Sequence, residues 1–174
     1  FAHDVLETRE PDGEWAIALQ LALPHGLAPT SAKLGSDGRL ADIAAVDEQL
    51  FSLPEALEKA FDLKPIGLRL VVVTPARFTS GWLPDGFESD GSRYKGRLPG
   101  VEGDLVLRAA FVGRPVHVSG WDMIAEAPNA RRGAPKRTDR MVPPGSVYFL
   151  ERANGEPFSA VDAHALWLAA LGGR

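Results

Sequence analysis

Apolar residues recur at every second position over several short runs of the chain, and this spacing is typical of half-buried β-strands. In residues 15–23 the tryptophan, the isoleucine and the leucines share one face, and the alanines lie on the other. A Pro-Asp-Gly turn separates this run from residues 1–9, so the two runs predict a β-hairpin with a buried strand. Residues 24–38 are expected to form a loop.

Two helices are predicted from start signals and apolar stripes. The segment Ser-Leu-Pro-Glu at 52–55 has the form of a capping box and predicts a helix over residues 53–61. Ser159 opens a second helix, predicted over residues 159–171, which two glycines would end. Its buried face is expected to consist of Val161, Ala165, Leu168 and Leu171.

Between these helices, apolar runs predict strands and a polar stretch predicts an insertion. Residues 66–74 are almost continuous Leu and Val, which is typical of a central strand covered on both faces. Residues 146–151 alternate as a further strand. Residues 76–103 are rich in Gly, Pro, Asp and Ser and are expected to form a long inserted loop. The runs at 105–112 and 116–123 predict an inserted hairpin.

A cationic segment follows that hairpin. Prolines and glycines make residues 124–144 unsuitable for a strand or a helix, so a loop is expected. Basic residues outnumber the single acid Asp139 in the ten positions that contain Arg131, Arg132, Lys136, Arg137 and Arg140. With Trp121 and Tyr148 beside them, these cations predict phosphate neutralisation and base stacking, as in single-stranded RNA binding. A solvated basic loop with both rings in the core is the alternative. Trp82 is expected to pack rather than to stack.

Overall charge alone would argue against a free-standing nucleic-acid binder, because the 174 residues carry a formal net charge of −4. The charges are unevenly distributed, however. Residues 1–64 hold 5 Lys/Arg against 12 Asp/Glu, and the remaining chain holds 14 against 11. The acidic part would suit basic protein neighbours while the other part meets RNA, although segregated solvated faces would look the same.

Catalytic and metal-binding motifs are not found in the sequence. There is no Gly-x-Ser-x-Gly, Walker or His-Glu-x-x-His motif, and the chain has no cysteine, so thiolate metal sites and disulfides are excluded. The absence of cysteine and of any long apolar run fits a cytoplasmic protein without a membrane span. Among four scattered histidines, His117 lies next to the basic segment and is the one candidate for acid/base chemistry.

Four segments resemble one protein family in the same order. They are Leu-Gly-Ser-Asp-Gly-Arg at 34–39, Thr-Pro-Ala at 74–76 with Gly-Trp-Leu-Pro at 81–84, Ser-Gly-Trp-Asp-Met at 119–123, and Val-Pro-Pro-Gly-Ser-Val-Tyr-Phe at 142–149. In this order they resemble the repeat-associated (RAMP) subunits of type III-B CRISPR effector complexes, and in particular the third subunit of the Cmr set. The resemblance covers most of the chain from about residue 34 onward.

This resemblance implies an α+β, ferredoxin-like (RRM-like) RAMP domain with inserted β-hairpins and long loops. The core order would be strand 15–23, helix, strand 66–74, strand 146–151 and helix, and a last strand is expected to be missing. We expect residues 1–174 to be a single domain with insertions at about 76–103 and 124–144, and to be a fragment of a longer protein. The family's glycine-rich loop would begin at Gly172.

The resemblance also implies a non-catalytic structural subunit that holds the 5′ handle of the guide RNA (crRNA) in an RNA-guided antiviral complex. Its partners would be the crRNA, the large polymerase-like subunit and the backbone RAMP subunits, with no cofactor, metal or membrane. Phosphate contacts are expected from the five cations of the basic segment and stacking from Trp121. A second contact line would consist of Arg39, Gly172, Gly173 and Arg174. Before the resemblance is considered, residues 35–39 are as well explained by an ordinary turn.

Two other functions stay open at this point. The first is a RAMP endoribonuclease that processes the guide precursor, with His117 acting on the 2′-hydroxyl, although the sequence favours a strand histidine without catalytic function. The second is a purely protein-binding module of the complex, which the acidic sequence pI near 5.6 would suit.

Overall fold

The computed structural model describes residues 2–9, 15–21, 28–34, 39–45, 48–126 and 132–172. The chain forms two compact units, Phe1–Ser52 and Leu53–Arg174, and each is described by itself. The architecture is α+β, as predicted, because antiparallel strands and short α-helices share the chain. Two compact units can belong to one domain or form two domains, so the single-domain prediction stays a prediction. No helix within these ranges is long and apolar enough to cross a membrane.

The predicted N-terminal hairpin is confirmed in the first unit. Strands β1 (Ala2–Arg9) and β2 (Trp15–Leu21) are antiparallel, with Arg9 opposite Trp15. The turn residues between them lie outside the described residues. The polar connection is short, so the hairpin closes at a small entropic cost.

A second hairpin in this unit was not predicted. Strand β3 (Thr30–Leu34) pairs antiparallel with β4 (Arg39–Ile43), and Leu34 lies opposite Arg39. The predicted loop over residues 24–38 is therefore wrong at β3. The strand was missed because its sequence Thr-Ser-Ala-Lys-Leu has few apolar side chains, and its stability comes from the ladder with β4 rather than from its own pattern.

The second unit contains two α-helices and nine strands in its described residues. In chain order they are α1 (Glu55–Asp62), β5 (Gly67–Val71), β6 (Phe87–Ser89), β7 (Tyr94–Gly96), β8 (Leu105–Phe111), β9 (Val116–Val118), β10 (Trp121–Glu126), β11 (Arg132–Pro135), β12 (Asp139–Met141), β13 (Val147–Arg152) and α2 (Ala160–Leu166). Five of these strands form one antiparallel sheet in the order β5-β13-β8-β7-β6. The predicted strand at 146–151 is confirmed as β13.

The hydrophobic core of this unit lies on one face of the five-stranded sheet. Along β13, Tyr148 and Leu150 are buried while Phe149 between them is exposed, which is the two-residue alternation of a strand. Phe61 of α1 and Leu166 of α2 belong to the same packing. The other buried members are Leu70, Val72, Phe78, Leu83, Phe87, Leu98, Val101, Leu105, Leu107, Val142 and Phe158.

One part of the predicted ferredoxin-like strand order is wrong. The prediction placed the strand at 15–23 in the core sheet, but within the described residues β2 pairs with β1, and β8 lies beside β13 with Ala110 opposite Tyr148. The nearby turn gives β2 a partner close in sequence, which costs less entropy than a distant one. The ferredoxin-like class itself stays a prediction.

The strand predicted at 66–74 to be central and covered on both faces is also corrected. It is observed as β5 at the edge of the five-stranded sheet, where it pairs with β13. Leu70 and Val72 are buried, whereas Val71 and Val73 are exposed. A continuous Leu/Val run indicates high β-propensity. It does not indicate whether a strand is central or at an edge, because that depends on pairing with distant parts of the chain.

Residues 76–103 are not the long inserted loop that their composition predicts. β6 and β7 within this stretch add two strands to the sheet, and the core includes Phe78, Leu83 and Phe87. The glycines here serve close backbone packing: a Cβ on Gly86, which has a φ of +90°, would lie 2.6 Å from the carbonyl oxygen of Arg97. Glycine therefore marks tight turns within a packed segment.

The capping box predicted at 52–55 does not form. Helix α1 begins after Pro54, which has extended backbone and makes no side-chain cap. Because the chain is still extended at Pro54, Ser52 lies too early to act as the first cap of this helix.

The capping box at the start of the second helix is present. The backbone N–H of Ser159 donates to the Asp162 Oδ2 at 2.8 Å. The helix ends at Leu166 rather than at the glycines, because Trp167 is extended and Leu168 has a φ of 52°, in the left-handed region. Val161 is exposed, contrary to prediction, and Leu171 does pack against the core.

Candidate nucleic-acid interface

The predicted basic loop is a two-stranded antiparallel ribbon. β9 pairs with β12 and β10 pairs with β11, so residues 116–126 run against residues 132–141. We call these two stretches the basic ribbon. Residues 127–131, which connect them, lie outside the described residues. The predicted hairpin between 105–112 and 116–123 is wrong, because β8 pairs with β7 and β13 while β9 pairs within the ribbon.

Local hydrogen bonds hold the ribbon together where its strands are interrupted. The backbone N–H of Lys136 donates to the Gly120 carbonyl at 2.8 Å, and the Ser119 hydroxyl donates to the Lys136 carbonyl at 3.3 Å. Proline argued against strands in this segment, but a two-stranded ribbon has two free edges. Pro135 fits opposite Trp121 because a proline needs only that its missing N–H face an open edge.

The predicted cations lie along this ribbon. Lys136 and Arg137 are exposed in the bend between β11 and β12, and Arg140 is exposed on β12 opposite His117. Arg132 begins β11, and its side chain is not described. Arg131 lies outside the described residues. Because an antiparallel pair places opposite residues on one face, Arg140 and His117 share one side of the ribbon.

Arg77 is a further cation at the base of the ribbon that sequence reasoning missed. A bridge between Ala76 and Val142 places it beside β12, and its Nη1 lies 3.5 Å from the Asp139 Oδ2. The only signal in the sequence is that Arg77 directly follows the Thr-Pro-Ala segment of the family resemblance.

Gly172, which was predicted to belong to a second contact line, lies against Arg77. A Cβ on Gly172 would be 2.6 Å from the Arg77 carbonyl oxygen, so the two backbones are in close contact. The structure therefore brings the start of the second predicted contact line to the base of the basic ribbon. Gly173 and Arg174 lie outside the described residues. Arg39 begins β4 in the first unit, and its side chain is not described.

The two predicted stacking rings differ sharply in exposure. Trp121 is 55% exposed on β10, so one side of its indole is open to a ligand. Tyr148 is buried in the core, where its hydroxyl donates to the Trp82 carbonyl, and burial raises the pKa of Tyr148 to about 12. The prediction that Tyr148 stacks on a base is therefore wrong, because it lies on the core face of β13.

Gly133 supports the exposed indole of Trp121. Gly133 is buried on β11 with a φ of +93°, and the space where a Cβ would project is already filled by the indole of Trp121 and by the Asp122 carbonyl oxygen, 2.9 Å away. Only glycine combines this backbone conformation with so close an approach. The indole is thereby fixed against the ribbon on one side while its other side stays open.

Replacing Gly133 by Ala is expected to displace the Trp121 indole and to destabilise the protein by about 1–3 kcal/mol. The change should appear in the tryptophan emission spectrum and in the denaturant midpoint. Gly145→Ala is the matched control, because Gly145 has a similar φ of +82° but open space around its Cβ position. Equal effects of both substitutions, with unchanged emission, would contradict the described packing of Trp121.

The ribbon carries no arrangement for metal chemistry in the part of the chain that the structure describes. No group of histidine and carboxylate side chains there is suited to hold a metal ion. His117 is exposed on β9. The chemistry that the ribbon offers is therefore a row of exposed cations and an open aromatic ring, which matches an extended, unpaired polyanion with aromatic bases.

Comparison with known proteins supports an assignment to a family. The family model described as CRISPR-associated protein (Cas_Cmr3) matches residues 5–166, which is well over half of the chain. No curated protein and no solved structure matches it. The match includes the whole ribbon, Arg77 and the five-stranded sheet, and it gives the family that the short motifs in the sequence resemble. The chain therefore belongs to the Cas_Cmr3 family of CRISPR-associated proteins, the third subunit of the type III-B Cmr effector complex.

Proposed function

We propose that this Cmr-complex subunit binds the 5′ handle of the guide RNA through its basic ribbon and takes no catalytic part. The observation that supports the proposal is the ribbon itself, where exposed Lys136, Arg137 and Arg140 lie on the same structure as the open ring of Trp121. Phosphate contacts supply affinity without reading sequence, and stacked rings hold unpaired bases.

The geometry of the ribbon suits a single strand that lies along it. An extended chain covers at most about 3.6 Å per residue, so Lys136 and Arg140 are no more than roughly 14 Å apart. Cations at this spacing can meet successive parts of one sugar-phosphate backbone. All are exposed to solvent, so their attraction for phosphate should be strongly screened by salt.

Arg77 adds a cation that is already paired with a carboxylate. Its guanidinium interacts with Asp139 at 3.5 Å, and both side chains are partly exposed. An exposed pair of this length is weak, so a phosphate can compete with the carboxylate for Arg77. We place Arg77 with Gly172 at the end of the ribbon contact, where the second contact line would continue.

The acidic N-terminal part of the chain suits protein neighbours. Residues 1–64 hold 12 acidic against 5 basic side chains, so phosphate is repelled there and basic protein surfaces are attracted. We propose that the large polymerase-like subunit and the backbone RAMP subunits are met through surfaces other than the ribbon.

Crosslinking tests the proposal directly. A guide RNA with a photoreactive base in its 5′ handle would be assembled with the full-length protein and its neighbours, and the crosslinked peptides would be mapped. We expect crosslinks within residues 116–141. An intact complex whose crosslinks avoid this range would overturn the ribbon assignment and would favour a protein-binding role.

A second candidate function is cleavage of guide precursor RNA by His117. The observation that favours it is the position of this exposed histidine opposite Arg140. In such a pair the imidazole would act as a general base on a 2′-hydroxyl while the arginine holds the neighbouring phosphate.

We expect no cleavage, because no second acid or base is placed beside His117 by any contact found in the described residues. Incubation of repeat RNA with the full-length protein, without metal, should leave the RNA intact, and His117→Ala should leave RNA affinity within about threefold, since the substitution removes none of the arginines and lysines of the ribbon. Cleavage that His117→Ala abolishes would establish the endoribonuclease instead.

A further inference from the structure

An aromatic depression lies on the five-stranded sheet near the base of the basic ribbon. Trp82 and Tyr94 are 40% and 36% exposed, and their rings meet edge to face with centroids 5.2 Å apart and planes at 82°. These rings line a depression of about 480 Å³ whose other walls include Leu107, Arg108 and Val112. An apolar concavity with a few polar groups is the usual form of a small-ligand site.

The two rings are fixed by the fold before any ligand arrives. The carbonyl oxygen of Trp82 accepts the hydrogen bond from the buried Tyr148 hydroxyl, which anchors the backbone that carries the indole. Tyr94 lies on β7 between Ser89 of β6 and Leu107 of β8, and it is paired with both. Rings held on rigid elements lose little conformational entropy on binding, so exposed aromatic surface here is well prepared for a stacking partner.

Charge around the depression favours a nucleic acid over an apolar peptide. Arg108 belongs to the wall of the depression, but its guanidinium pairs with the Glu151 carboxylate at 2.7 Å on the face of the sheet opposite to Tyr94 and Leu107. Arg114, which is exposed, lies in the connection that leads away from the depression. An apolar segment of a protein would gain nothing from this cation, whereas every nucleotide within an RNA strand is flanked by phosphates.

Chain connectivity places this depression within reach of the ribbon. Val112 lines the depression, and Val116 begins β9 only four residues later. An extended chain covers at most about 3.6 Å per residue, so the two sites are no more than about 14 Å apart. One RNA strand that lies on the base of the ribbon can therefore extend to the depression without leaving the protein surface.

We propose that the depression between Trp82 and Tyr94 binds one unstacked base of the same single-stranded RNA. The perpendicular rings form a corner, so one ring stacks on the face of the base and the other meets its edge. This inference rests on the proposed RNA-binding function. It adds the expectation that removing one particular base from the RNA weakens binding to the protein.

Abasic scanning of the RNA tests the inference. Full-length protein would be titrated with a set of handle RNAs that each lack one base, and binding would be followed by fluorescence anisotropy. We expect one position at which loss of the base weakens binding about 10- to 100-fold, as for a stacked base. With Trp82→Ala or Tyr94→Leu, intact RNA should bind more weakly by a similar factor, and the abasic penalty at that position should disappear.

The matched control is Phe111→Ala, which removes an exposed aromatic ring of β8 that does not line the depression. It should leave both the affinity and the abasic profile unchanged. Trp82→Ala keeps the backbone carbonyl that accepts from Tyr148, and Tyr94→Leu gives an independent measurement if the first variant is unstable.

The outcomes separate this inference from the proposed function. Wild-type protein that binds no RNA would end both. RNA binding that depends on the ribbon cations but shows a flat abasic profile, or a profile that Trp82→Ala and Tyr94→Leu leave unchanged, would overturn the depression alone. Loss of complex assembly in these two variants, with RNA affinity intact, would also overturn it and would indicate a protein side chain in the depression.

Discussion

Replacing Asp162 by Asn is expected to lower the free energy of unfolding by about 3–5 kcal/mol, because it breaks a buried ion pair and leaves one charge without its partner. Asp162 accepts from the Arg152 guanidinium at 2.7 and 2.8 Å, and the two side chains are only 6% and 12% exposed. Equilibrium denaturation in urea, monitored by circular dichroism, would measure the loss.

The surroundings of Arg152 explain why so much depends on this carboxylate. The guanidinium lies over the ring of Phe158, 5.2 Å from its centroid, and also donates to the Glu102 carbonyl. Its Nε is buried and has no hydrogen-bond partner within the described residues. The same carboxylate caps α2 through Ser159, so the substitution weakens the junction between β13 and α2 on both sides.

An exposed pair of the same length provides the control. Arg97 and Asp104 are also joined at 2.7 Å, but their side chains are 73% and 55% exposed. Asp104→Asn should change the free energy of unfolding far less than Asp162→Asn, because water and salt screen the charges of the exposed pair. Similar losses for both substitutions would show that burial does not distinguish the two pairs.

The Asp162 pair should also make stability depend on pH. Burial acts to raise the pKa of Asp162, but hydrogen bonds from the Ser159 backbone and the Arg152 guanidinium outweigh it and hold the pKa below the usual value of an aspartate. The unfolded chain then binds a proton more readily than the folded protein, so the stabilisation is complete above about pH 4 and is lost as the pH falls through the folded pKa. Asp162→Asn should remove this part of the acid dependence.

Local signals in the sequence predicted the elements whose partners lie nearby. The Pro-Asp-Gly turn identified the β1–β2 hairpin, and Ser159 identified the start of α2, because each depends on a few adjacent residues. Strand β13 was recognised from its alternation. The edge position of β5 and the pairing of β8 with β13 were not predictable in this way, since they depend on contacts between distant segments.

The sequence predicted which cations belong to the candidate site but not the backbone structure that carries them. The cations of the basic segment were identified from charge, yet the ribbon was missed because proline and glycine suggested a loop. Trp121 and Tyr148 look equivalent in the sequence, and only the sheet and the packing of Gly133 decide which ring is open. Arg77 and the Trp82–Tyr94 pair were missed because their positions beside the ribbon and the depression arise from tertiary contacts.

Replacing Lys136, Arg137 and Arg140 together by Gln is expected to weaken RNA binding on the order of 100-fold at low salt, because three charged contacts to phosphate are lost. The three residues are exposed, so the substitutions should not disturb the fold. Each phosphate contact of a single strand contributes about 0.7 to the slope of log K against log salt concentration, so the slope should become shallower by about 2. Anisotropy titrations at several salt concentrations would measure both quantities.

Lys59, Lys64 and Arg69 are a matched set, because their replacement by Gln removes the same charge from exposed positions outside the ribbon. A general electrostatic attraction would be weakened equally by either triple variant, since it depends on net charge alone. A local interface would respond to the ribbon set and would leave the slope of the control set close to that of the wild type. Equal slopes in the two variants would refute the ribbon as the RNA-binding site, even if both bind more weakly than the wild type.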